Sequence, residues 1–127
     1  MVRKTYRATN VTASGPYSHA VEADNLIFLS GQTAMNAETG VNLQGNIGEQ
    51  TKQCFTNLFE VLDAAALTHD DVVKVNVYLT DMNHFSSMNE VYKTYFNEPY
   101  PARTCVAVLA LPLGAEVEIE MIAKRKV

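Results

Sequence analysis

The stretch Thr104-Cys105-Val106-Ala107-Val108-Leu109-Ala110 decides how this chain is organised. Its two alternating sets, Val106, Val108 and Ala110 against Cys105, Ala107 and Leu109, are both largely apolar. A strand with one face in water alternates apolar with polar residues, so this pattern predicts a strand buried on both sides. Past the turn Pro112-Leu113-Gly114, a second strand over 116–124 alternates cleanly. Val117, Ile119, Met121 and Ala123 form one face, and Glu116, Glu118 and Glu120 the other. Upstream, 71–80 has the same period, with Val73, Val75, Val77 and Leu79 opposite Lys74, Asn76 and Tyr78.

Between these strands the period changes to that of a helix. Asp81 is an N-cap, followed by the stripe Phe85, Met88, Val91, Tyr92, Tyr95 and Phe96, with Pro99 and Pro101 ending the element. An earlier helix starts at Ile47 and carries Thr51, Cys54, Leu58, Val61, Leu62 and Ala65 on one face, fading near Leu67-Thr68. Asn46 and Glu49 have the spacing of a capping box. Towards the N-terminus, 2–8 reads as a strand and 14–18 as a turn. Residues 19–22 and 26–30 read as a hairpin around Asp24-Asn25, and Thr39-Gly40 as a loop. The order β-β-β-α-β-α-β-β predicts an α+β fold, a mixed sheet with two helices on one face.

Two helices cover one face of such a sheet. The doubly apolar strand asks for cover on the other, either from the N-terminal hairpin or, more economically, from further copies of the chain.

With 127 residues, 47% hydrophobic and 19% charged, the composition is that of one globular domain spanning 1–127, and excludes disordered and collagen-like classes. Ten Lys and Arg against fourteen Asp and Glu give a formal charge of −4, which argues against nucleic acid as a default partner. No run approaches the ~20 apolar residues a membrane span requires, and no targeting segment is recognisable. Cys54 and Cys105 belong to no metal or dithiol spacing. Two reduced thiols in a cytoplasmic protein is the expectation.

Arg103 and Cys105 are two apart, so a regular strand projects them from one face, expected to be the face away from the helices. Glu116, Glu118 and Glu120 are expected on that same side. An arginine at a partly apolar interface needs an anion, and its planar fork suits a carboxylate. Spacing leaves two readings open: a structural Arg–Glu pair across an interface, or a clamp for a carboxylate ligand. His69 reads as a solvated turn residue and His84 as lying in the first turn of the second helix, on its outer face. Ser30-Gly31-Gln32 lacks the nucleophile-elbow pattern, and there is no phosphate-binding glycine motif. Cys105 reads as a small core residue before it reads as a nucleophile.

Gly15-Pro16-Tyr17-Ser18, Leu29-Ser30-Gly31-Gln32, Gly45-Asn46-Ile47, Glu49-Gln50-Thr51 and Met88-Asn89-Glu90-Val91-Tyr92 occur in this order. Pro101-Ala102-Arg103-Thr104-Cys105-Val106 and Val117-Glu118-Ile119-Glu120 follow. Together they resemble the RidA/YjgF family of reactive-intermediate deaminases along essentially the whole chain. The resemblance implies a chorismate-mutase-like fold assembled as a homotrimer with a barrel-like core and an active site in each inter-subunit cleft. It implies hydrolysis of enamine and imine intermediates, such as 2-aminoacrylate and 2-aminocrotonate, to 2-keto acids and ammonia. It further implies functional coupling to pyridoxal-phosphate dehydratases that release these intermediates, and no metal or organic cofactor.

Carried over by position, the family's carboxylate-binding arginine falls on Arg103 and its active-site glutamate on Glu118. Tyr17, Ser30, Asn89 and Cys105 match further pocket positions, with Gly31 allowing close backbone approach. His19 stands where the family commonly has Gln, which would bring a titrating group near Tyr17. Thr104 replaces a common Ser, and Ala107 with Leu109 make their face more apolar than usual. The implied activity is that of a 2-iminobutanoate/2-iminopropanoate deaminase. The alternatives are a non-catalytic trimer binding 2-keto acids and the translation-inhibitor or endoribonuclease role sometimes attached to the family. For the last, the basic residues near the two termini would have to form one patch.

Overall fold

A computed structural model describes residues 2–13 and 15–126, so Ser14 of the expected 14–18 turn lies outside the described residues. The chain forms β1 (Lys4–Tyr6), β2 (Ala20–Ala23), β3 (Leu26–Gln32), β4 (Met35–Asn36), β5 (Val41–Asn42) and α1 (Ile47–Ala64). It continues as β6 (Val72–Leu79), α2 (Phe85–Tyr92), β7 (Ala102–Ala107) and β8 (Val117–Lys124). Six strands make one mixed sheet in the order β1-β2-β3-β8-β6-β7, and β4 with β5 forms a separate small ladder. Among the described residues only β6 and β7 run parallel, joined by the crossover that contains α2. The α+β architecture with both helices on one face stands as expected.

Local chemistry places the elements. Asp24 and Asn25, with φ of 50° and 66°, make the two-residue turn that closes β2 on β3, a conformation these short polar side chains tolerate. Asn46 Oδ1 accepts the Glu49 N–H at 2.9 Å and starts α1. The helix ends at Ala64. The Leu67 N–H donates to the Leu62 carbonyl and the Ala66 N–H to that of Asp63, with Ala66 left-handed at φ 59°. Asp81 caps a single 3-10 turn over Met82–His84, which runs into α2, so His84 precedes that helix instead of lying in its first turn. α2 is shorter than its apolar stripe suggests. Tyr95 and Phe96 follow it in tighter turns yet still pack around Phe55, with Tyr95 stacked on that ring at 4.4 Å.

The core lies between the helices and the inward residues of β3, β6 and β8, among them Ile27, Leu29, Val75, Val77, Leu79, Val117, Ile119 and Met121. The expected set Val73, Val75, Val77 and Leu79 needs one correction. A bulge between Val72 and Lys74 shifts the register, burying Val72 and leaving Val73 43% exposed.

The doubly buried strand also needs correction. β7 lies at the sheet edge, bonded to β6 alone, and within the chain Val106 is 42% exposed and Leu109 fully exposed. The N-terminal hairpin extends the opposite edge of the sheet, so it does not cover β7. An apolar edge with no cover from its own chain is the arrangement that association with other copies resolves.

A charged clasp closes the far edge. Arg125 donates to Glu22 at 2.9 and 3.3 Å, to the Tyr6 hydroxyl at 3.0 Å, and to the Ala65 carbonyl at the end of α1 at 2.9 Å. The Tyr6 hydroxyl in turn donates to Glu22 at 2.6 Å. The Arg125 and Tyr6 hydrogen bonds hold the Glu22 carboxyl down at about 2. Its folded value lies below the unfolded one, so its stabilisation is present above about pH 4.5 and fades as pH falls towards 2. Glu22→Gln is therefore expected to lower the melting temperature at pH 7 and to flatten its decline between pH 5 and 2. Parallel melting curves for the two proteins across that range would exclude this role.

Candidate active site

β8 buries Val117, Ile119 and Met121 under the helices, so alternation turns Glu118 and Glu120 to the opposite face. Facing Glu118, β3 bulges between Leu29 and Gln32, which brings the Ser30-Gly31 backbone close. A Cβ on Gly31 would sit 2.6 Å from Glu118 Oε2 and 3.0 Å from its Cδ, so any larger residue displaces the carboxylate. Ser30 is fixed at both ends. Its N–H donates to the His19 carbonyl at 2.9 Å and its hydroxyl to the Ser18 carbonyl at 2.6 Å. Tyr17, Ser30, Gly31, Glu118 and Glu120 share one recess of about 370 Å³, walled also by Met35, Pro112 and Leu113.

Burial, and then the neighbouring Glu120 carboxylate, push the Glu118 carboxyl up from its ordinary range. Glu120 stays committed elsewhere. It accepts the Tyr78 hydroxyl and, at 3.1 Å, the Asn76 side-chain amide. The bond to Glu120 pushes the Tyr78 phenol up to about 12. Sequence reasoning singled out Glu118 and overlooked this network. Its signal is that Asn76 and Tyr78 alternate on β6 as Glu118 and Glu120 do on β8, and the antiparallel register sets Tyr78 against Glu118 and Asn76 against Glu120.

Arg103 builds a second recess. The parallel register sets it beside buried Val75, and therefore on the helix face of β7. Its guanidinium lies 4.6 Å from the centre of the Tyr92 ring and 5.4 Å from that of Phe85, and Nη1 donates to Asn89 Oδ1 at 2.7 Å. Two aromatic faces and an amide hold the fork in place without neutralising it. Among the described residues no carboxylate lies within ion-pair distance of Arg103. Asn89, Tyr92, Lys93, Tyr100 and Pro101 complete this recess.

The expectation that Arg103 and Cys105 share a face with Glu118 is thus corrected. Arg103 and Cys105 face the helices, whereas Glu118 and Glu120 face away, because the pairing of β6 with β7 and β8 assigns the faces. Glu116 departs as well. It precedes β8 and accepts from the Gln50 amide of α1 at 3.0 Å, with His84 Nε2 at 4.0 Å. Half-buried Cys105 packs against the core, and burial pushes its thiol up against the opposing effect of Arg103, so it stays protonated and a weak nucleophile. His19 is buried, and its Nδ1 accepts the Ala8 N–H at 3.1 Å. Burial, then Arg7, lower its pKa, so it stays neutral and holds the N-terminal segment instead of titrating beside Tyr17. His69 is the solvated turn residue expected, with Nε2 3.3 Å from Asp70.

Tyr17, Ser30, Gly31 and Glu118 are therefore brought together, and so are Asn89 and Arg103, but the two groups occupy separate recesses. Among the described residues no group of three or more His, Cys, Asp or Glu is arranged to hold a metal, and no helix is long and apolar enough to cross a membrane.

The sequence model of the family described as Endoribonuclease L-PSP matches residues 7–125. The chain belongs to the RidA/YjgF family. It is 45% identical over 124 residues to the mouse protein named 2-iminobutanoate/2-iminopropanoate deaminase, covering 97% of this chain and 92% of that one. It is 46% identical over 114 residues to Protein HMF1 of Saccharomyces cerevisiae, covering 90% and 88%. The crystal structure of RidA from the Antarctic bacterium Psychrobacter sp. PAMC 21119 superposes with a TM-score of 0.91 at 41% identity, covering 97% of this chain and 100% of that one. RidA/YjgF relatives thus carry enzyme names, a ribonuclease label and non-committal names side by side.

Proposed function

We propose that this RidA/YjgF chain is a 2-iminobutanoate/2-iminopropanoate deaminase whose active site forms between two copies of a homotrimer, coupled to pyridoxal-phosphate dehydratases in the cytoplasm. The observation that carries the proposal is the separation of an unneutralised, stacked Arg103 from a half-buried Glu118, on opposite faces of one sheet. Each recess holds half of what imine hydrolysis needs. Arg103 lies on the apolar edge strand that asks for a partner, so docking that edge against a neighbour's Glu118 recess would join the halves.

In the joined site Arg103, steadied by Asn89, grips the substrate carboxylate through two parallel N–H bonds. The enamine tautomerises to the imine. Glu118 of the adjoining copy takes a proton from water as the water oxygen bonds to the imine carbon. That proton passes to the imine nitrogen, giving an adduct with one O–H and one NH2 group. The O–H proton then moves through Glu118 to the nitrogen, so that the C–N bond breaks, ammonia leaves and the keto C=O forms. Tyr17 and Ser30 line the approach, and Cys105 acts through its place on β7, not as a nucleophile. A carboxyl raised by burial suits this traffic because it is a stronger base than an ordinary glutamate and takes the proton from water more readily.

The ribonuclease reading finds less support: of the basic residues near the two termini, Arg125 and Lys4 are paired with Glu22 and Lys126 with Asp71, which offsets their charge. A sensor of 2-keto acids would use Arg103 but has no need of a carboxyl raised by burial.

The test couples a threonine or serine dehydratase to the purified protein. Keto-acid appearance should accelerate and semicarbazide trapping of the imine should fall as protein is added. Unchanged traces with the wild-type chain would end the deaminase reading.

A further inference from the structure

The turn that overhangs the Glu118 recess holds a residue whose choice neither folding nor turn chemistry explains. Leu113 adopts φ 61° and ψ 25°, the left-handed region that disfavours a bulky side chain. At the next position, φ 69°, the same demand is met by Gly114. Within its own chain the leucine recovers little by burial, since it is 54% exposed there. Its carbonyl is nonetheless tied down by the side-chain amide of buried Asn42 at 3.4 Å, and the Ala115 N–H closes the turn onto Pro112 at 3.1 Å. A fixed, strained backbone presenting an exposed apolar side chain at the rim of a site points to a use for that side chain.

The recess shows what the use is. Its lining combines the polar Ser30, Gly31 and Glu118 with the apolar Met35, Pro112 and Leu113. Two carboxylates and no cation line it. Resting on the reading above, we propose that Leu113 determines substrate selectivity, packing on the side chain of the imine while Glu118 serves its reacting carbon. The substrates favoured are then imines with apolar side chains longer than a methyl group. Imines bearing a second carboxylate on that side chain are disfavoured, because Glu118 and Glu120 repel it and, among the described residues, the lining of this recess has no cation to pair with it.

Imines released in place from alanine, leucine and glutamate by amino-acid oxidases of matching specificity provide the test, read as loss of semicarbazone. Wild type should favour the leucine-derived imine over the glutamate-derived one. Leu113→Gly, which relieves the backbone strain and so retains the fold, should lower kcat/KM for the leucine-derived imine by about tenfold while changing the alanine-derived one less than about twofold. Leu113→Lys should shift the leucine-to-glutamate ratio towards glutamate by a similar factor. Wild-type ratios in both variants overturn the role of Leu113 and leave the deaminase reading standing. Were wild type to accelerate none of the three, the deaminase reading would fall. Calorimetric binding of 4-methyl-2-oxopentanoate against pyruvate then decides the matter: Leu113→Gly must lose about tenfold of the preference for the larger acid, and an unchanged preference overturns the role.

Discussion

A Glu118→Gln protein is expected to lose about 10²- to 10⁴-fold in imine turnover while melting at a higher temperature than wild type. The two effects have one cause. Glu118 sits where burial, reinforced by the Glu120 carboxylate, opposes its ionisation. Its folded pKa lies above the unfolded value, so the folded chain binds more protons than the unfolded one once the pH exceeds the ordinary glutamate range. Stability therefore falls with rising pH through that window and stays reduced above it. The amide that replaces the carboxyl carries no charge to desolvate, so the cost disappears at pH 7 together with the group that moves the proton. Melting curves at pH 4 and pH 7 check the sign, for the stabilisation should be larger at pH 7. A glutamine variant that is less stable at both pH values, or fully active, would show that Glu118 is a structural partner and not the proton carrier.

The second large effect comes from mixing two inactive proteins. Arg103→Met removes the carboxylate clamp and Glu118→Gln the proton carrier, so either variant alone should show almost no turnover. Unfolding and refolding them together at equal amounts forms mixed assemblies. If each site takes Arg103 from one copy and Glu118 from its neighbour, half of the copies supply each intact residue. About one site in four is then complete, and activity should return to about a quarter of wild type. Were both residues to act within one chain, no mixture would restore a complete site and activity would stay at background. The separate recesses predict recovery. A double variant carrying both changes, mixed with wild type, supplies the control, since it returns no more than the same fraction of sites.

How much of this could be read from the residues follows from the range of the interactions involved. The hairpin at Asp24-Asn25, the start of α1 at Asn46 and the alternation of β8 are local matters of turn conformation, capping and period, and each is found where its residues indicate. The bulge at Val72–Lys74 was not readable, because a run of valines has no intrinsic side and only the pairing with Ala123 and Ile122 assigns one. The end of α2 was obscured for a related reason. Tyr95 and Phe96 keep helical spacing after the helix ends and still pack on the Phe55 ring, so the apolar pattern does not mark the end. At the site, motif identity pointed to Arg103, Glu118, Tyr17, Ser30, Gly31 and Asn89, but not to how they divide. Glu120 with Tyr78, and Leu113 at the rim, escaped notice because their roles depend on strand register and on a left-handed turn.

Sequence by itself determined the types of the elements of the main sheet and of both helices, though not the short β4–β5 ladder, together with the family, the acidic balance and the apolar surplus of the 104–110 stretch. Period and composition record local and solvent preferences directly. Only the tertiary structure decided that this stretch begins as an edge strand, that Arg103 faces the helices, and that Glu118 lies on the other side of the sheet. Alternation along one strand sets which side chains share a face, but which face meets the core is settled by pairing with strands distant in the chain.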